Sequence, residues 1–80
     1  MEELQPIYSN VKSFYRKAKV LKNDDTIQLI SYSTKVAEIK NGKAHIYGWY
    51  SATTTRHIKE FLQQNGFKTG TKAQLEKMYC

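Results

Sequence analysis

Cysteine is nearly missing from this 80-residue chain, and the single one, Cys80, is the last residue. That excludes an internal disulfide and a cysteine cage for a metal within one chain, and it makes a reducing, intracellular setting the natural expectation. Long apolar runs are missing too. No stretch approaches the roughly 18–20 residues of a membrane span, and MEELQPIYSN has neither the basic flank nor the apolar core of a leader, so a complete cytosolic chain is expected. Histidine is scarce, with His45 and His57 alone and no carboxylate cluster beside them, so neither a metal nor a cofactor is expected. The four glycines, Gly42, Gly48, Gly66 and Gly70, do not form a phosphate loop with a following Lys and hydroxyl. Acidic side chains are the last shortage. Seven Asp and Glu against thirteen Lys and Arg leave +6 at pH 7, which favours polyanions or acidic protein faces as partners.

What is present is enough for one domain over residues 1–80, with roughly 60–65% of the unfolded chain's surface buried and no room for a deep pocket or a small-molecule substrate. Ile7, Val11, Phe14 and Ala18 follow a helical spacing, while Phe14 to Leu21 also alternates as a strand. The expectation is a short helix at about 6–12, opened by Pro6, and a strand at about 14–21. Asn23, Asp24 and Asp25 form a polar turn, and Thr26 to Ser33 is a second strand, with Ser33 and Thr34 marking a break or bulge. Lys35–Lys40 and Lys43–Tyr50 flank Asn41-Gly42, the dipeptide best suited to a type I′ turn. That turn pairs Lys40 with Lys43, Ile39 with Ala44, Glu38 with His45, Ala37 with Ile46 and Val36 with Tyr47. One hairpin face then carries Ala37, Ile39, Ala44, Ile46 and Gly48, and the other Val36, Glu38, His45, Tyr47 and Trp49.

From about Thr53 to Asn65 the pattern turns helical, with Thr55, Ile58, Phe61, Leu62 and Asn65 in one stripe and Arg56, Lys59, Glu60, Gln63 and Gln64 elsewhere. Ser51, Thr53 or Thr54 is available as the cap, and Asn65-Gly66 supplies the left-handed ending over which Phe67 folds back. Thr71 and Gln74 fit a capping box for a short last helix, whose Leu75, Met78 and Tyr79 would seal the core edge. The fold class expected is α+β: a small antiparallel sheet of three to four strands packed on one main helix, with short terminal helices.

If the small apolar hairpin face takes the helix, Tyr47, Trp49 and His45 stay on the other, beside Lys40 and Lys43. Aromatic rings interleaved with cations stack bases and neutralise phosphates, and with Arg56 these are the candidate residues for a nucleic acid or a partner. The competing reading packs Tyr47 and Trp49 under the first strand or the termini. The hydroxyls of 51–55 lie at a helix start that can take a phosphate, although capping alone explains them. His45 and His57 raise general acid–base cleavage of RNA. Cross-strand pairing with Glu38 accounts for His45, and a neutral capping or packing role accounts for His57 in a helix's first turn. In order of elements the chain resembles small interferase toxins, but their glycine and histidine signature is missing, so no enzyme is expected.

SYSTKVAEI, the NGK hairpin, GWYSATTTRHIKEFLQQNGF and TKAQLEK resemble a family of small bacteriophage and prophage proteins of unknown function, marked by Tyr-Ser-x-Thr-Thr-x-Arg-His-Ile-x-x-Phe-Leu. Tyr50, Ser51, Thr53, Thr54, Arg56, His57, Ile58, Phe61 and Leu62 carry the likeness, which runs from about Phe14 to Lys77. The resemblance implies a phage context, residence in the host cytoplasm, and binding either to nucleic acid or to a host protein. Two readings follow from it. One is a nucleic-acid-binding domain; the other is an inhibitor of a host defence protein, of anti-CRISPR or other anti-defence type.

Overall fold

The structure, a computed structural model, describes residues 2–9, 11–14, 16–47 and 51–79. Five strands, β1 (Glu2–Glu3), β2 (Ala18–Lys22), β3 (Thr26–Ser31), β4 (Thr34–Lys40) and β5 (Lys43–Ile46), are followed by helices α1 (Ala52–Gln64) and α2 (Lys72–Tyr79). Each strand pairs antiparallel with the next in sequence, giving a meander β1-β2-β3-β4-β5. The architecture is thus α+β, with one more strand than the sequence suggests. The addition is β1, two acidic residues paired with Lys19 and Val20 and flanked by a 3.7 Å Lys22–Glu2 ion pair. Two residues carry no usable periodicity.

Residues 6–12 form no helix among those described; the segment bends instead. Its backbone donors go elsewhere. The N–H groups of Tyr8 and Ser9 donate to the Glu60 carboxylate of α1 at 2.9–3.2 Å, and Phe14 is buried as the anchor that returns the chain to β2. The first long strand therefore starts at Ala18, not at 14, after a turn in which Arg16 takes φ 63°.

The Asn41-Gly42 hairpin has the expected register, from Lys40 opposite Lys43 to Ala37 opposite Ile46, with φ of 52° and 76° at the two turn residues. β3 and β4 are joined more tightly than expected, through Tyr32-Ser33, and Tyr32 adopts φ 58°, a region side chains rarely enter. The irregularity falls inside the ladder. Leu29 pairs with Ala37 but Ile30 pairs with Lys35, so Val36 is the extra residue of a bulge. The bulge turns Val36 inward beside Ala37, both 1% exposed, and corrects its placement on the outer hairpin face.

The inner sheet face presents Ala18, Val20, Leu29, Val36, Ala37, Ile39 and Ile46 to Ile58, Phe61 and Leu62 of α1 and Leu75 of α2. Ser51 caps α1 by accepting the Thr54 N–H at 3.3 Å. At the other end the Phe67 and Gly66 N–H groups donate to the Leu62 and Gln63 carbonyls, with Gly66 at φ 82°, a Schellman ending. The Thr71–Gln74 capping box forms reciprocally at 2.8 and 3.3 Å. Leu75 and part of Tyr79 join the core, whereas Met78 is exposed. Glu60, which lies off the apolar stripe of α1, is buried because the 4–9 segment covers it.

Candidate nucleic-acid interface

Because both helices pack on the inner face, the outer face of the sheet is left open among the described residues. Alternation along the strands and the antiparallel register place three rows across it. Thr26, Lys40 and Lys43 form the first; Leu21, Gln28, Glu38 and His45 the second; Lys19, Ile30 and Lys35 the third. Lys35 reaches this face only because the Val36 bulge shifts the alternation. Strict alternation from Lys40 would have turned it inward, which is why the sequence pattern missed it.

Tyr47 closes the β5 side. Its hydroxyl donates to Glu38 Oε2 at 2.7 Å, its ring meets His45 edge-on at 4.9 Å between centroids, and Lys35 Nζ lies 5.2 Å from its centroid. The Tyr47 bond holds the Glu38 carboxyl below its usual range against the opposing effect of burial, with Gln28, Lys35 and Lys40 adding to the lowering. The same bond pushes the Tyr47 phenol up, so it remains a neutral donor. Glu38 at the centre and Glu3 at the β1 edge are the carboxylates here, against Lys19, Lys35, Lys40 and Lys43. Lys40 and Lys43 stand directly opposite one another, an arrangement that is unfavourable until an anion lies between them.

The candidate residues are not all together. Lys40, Lys43 and Tyr47 share the open face, while Trp49 lies outside the described residues. Arg56 projects from α1 in the helical layer, where it lines a groove of about 380 Å³ with Thr55, Lys59 and Lys72. His45 is exposed on the outer face, opposite Glu38. His57 is 1% exposed within the other layer, its Nδ1 2.9 Å from Ser31 Oγ, which is also 3.1 Å from Thr54 Oγ1. Burial, then Arg56 and Lys17, hold this imidazole below its ordinary range. It is a neutral packing residue, edge-on to Phe14 at 4.6 Å, and it does not cap the helix.

Among the described residues no group of His, Cys, Asp and Glu is placed to hold a metal, and no helix is long and apolar enough to cross a membrane. No curated protein and no solved structure matches the chain. One family model does match, over residues 2–77, nearly the whole length, and the chain therefore belongs to the family of unknown function DUF8033.

Proposed function

We propose that this protein is a small, non-enzymatic, phage-type module that binds a nucleic acid on its open sheet face. The observation that carries this reading is one open sheet face that holds the half-exposed Tyr47 ring with Lys35 Nζ 5.2 Å from its centroid at one end and the cross-strand pair Lys40 and Lys43 at the other. The lysines meet phosphates as point charges, and the tyrosine offers a surface on which any base can stack. The phage context rests on the resemblance of residues 50–62 described above. A non-catalytic role is supported by the separation of the two imidazoles onto opposite layers and by the engagement of His57 with Ser31.

Gel shifts at low salt with single-stranded DNA, duplex DNA and RNA test the proposal. Binding should be seen with the parent and weakened several-fold in Tyr47→Ala, a loss in keeping with one stacked base at about 1–3 kcal/mol. RNA incubated with the parent should stay intact; cleavage lost on replacing both histidines by Gln would establish a ribonuclease instead. If no nucleic acid binds and a host protein co-purifies after nuclease treatment, the inhibitor of a host defence protein takes the place of this reading.

A further inference from the structure

On the helical side of the domain, away from the open sheet face, the start of α1, the turn before β2 and the β3–β4 turn enclose a notch of about 210 Å³. Phe14, Lys17, Tyr32, Thr53, Arg56 and His57 line it, and none of its described lining residues is acidic. Two exposed cations thus converge from different segments on a neutral buried imidazole, with no carboxylate between them. Lys17 Nζ is 5.6 Å from the Tyr32 ring centroid, and that ring is 51% exposed at the rim.

We propose that this notch is a second binding site, which seats the phosphate of a nucleotide between Lys17 and Arg56 with the base against the Tyr32 ring. A guanidinium and an ammonium together suit a tetrahedral phosphate, and the Thr53 hydroxyl adds a neutral donor. Aromatic side chains beside the cations distinguish a nucleotide from a bare anion, since only the nucleotide has a planar ring to lay on them. The volume is below the roughly 300 Å³ at which pockets begin to enclose whole small molecules, so the sugar remains in solvent.

The shared chemistry, a phosphate beside a base, can come from a free mononucleotide or from the phosphorylated end of a strand. Calorimetry and amide chemical-shift mapping would use AMP, UMP, their nucleosides, inorganic phosphate, phosphotyrosine and a 5′-phosphorylated tetranucleotide. A nucleotide should bind at least about tenfold more tightly than its nucleoside or phosphate alone, and it should shift the amides of Lys17, Tyr32 and Arg56. If only the tetranucleotide does so, the source is a strand end. Lys17→Ala with Arg56→Ala should lose this binding by about tenfold or more, whereas Lys40→Ala with Lys43→Ala should keep it. Both pairs are exposed, so folding is not at stake, and survival of notch binding when the sheet-face pair is replaced separates the two sites. Equal binding of phosphate and nucleotide, preference for phosphotyrosine, or no binding by any probe overturns the proposal.

Discussion

Glu60 shows how one side chain redirects a distant segment. Its carboxylate accepts the N–H groups of Tyr8 and Ser9 and the Gln64 amide, so it is satisfied although 1% exposed. The two backbone donors are more than fifty residues away in sequence, and no local pattern could have revealed them. Glu60→Gln exchanges one acceptor oxygen for a donor facing donors, and should cost about 1–3 kcal/mol with faster amide exchange at Tyr8 and Ser9. Unchanged exchange there would mean that the segment is held by Phe14 and Leu4 alone. His57 is the corresponding case among bases. Its imidazole faces Ser31, Phe14 and Tyr32, with Lys17 and Arg56 the nearby charges. The unfolded chain takes up this proton near pH 6.5 and the folded chain only at lower pH. Stability is therefore full above about pH 6.5 and falls below it, by no more than about 1.4 kcal/mol per pH unit, the slope of one proton. Glu38 adds a loss of its own only below its unfolded value of 4.5. In His57→Asn, which keeps an acceptor for Ser31, urea midpoints should change less between about pH 7.5 and about pH 5.5 than in the parent. An equal change would assign the pH dependence to other groups.

At the scale of elements, legibility followed the range of the forces involved. The Asn41-Gly42 hairpin, α1 and both caps were readable because turn chemistry, capping and period depend on residues within about five positions of one another. Two failures arose from longer reach: residues 6–12 have a helical spacing but give their donors to α1, and β1 exists only through its pairing with β2. The Val36 bulge failed for another reason. One inserted residue inverts the alternation of everything beyond it, which moved Val36 into the core and Lys35 onto the candidate surface. The interior that results depends on Phe61, fully buried where α1 meets the sheet, and Phe61→Ala should cost about 3–5 kcal/mol, enough to unfold much of so small a domain. A variant that melts like the parent would refute that core. Gly42→Ala is the milder counterpart. A Cβ at Gly42 would meet nothing within 4 Å, so the cost should be that of the φ of 76° alone, about 1–2 kcal/mol in thermal or urea unfolding.

For the whole molecule the question is whether a face or the bulk charge meets the partner. The net charge of +6 attracts any polyanion, so weak association at low salt by itself says nothing about a site. The cations are spread over two layers, with Lys35, Lys40 and Lys43 on the open sheet face and Lys59 and Lys72 along the groove between α1 and α2. This division turns the question into a measurement. Each phosphate contact contributes about 0.7–0.9 to the slope of log affinity against log salt, so replacing the three sheet-face lysines by Gln should flatten that slope by up to about 2–3. Replacing Lys59 and Lys72 by Gln lowers the net charge too, yet should leave the slope nearly unchanged if the sheet face carries the contacts. Tyr47→Ala should weaken binding at every salt concentration without altering the slope, because stacking releases no counterions. If instead both sets of lysines flatten the slope in proportion to the charge removed, the nucleic acid is responding to the molecule's overall field, and the sheet face has no special part in binding.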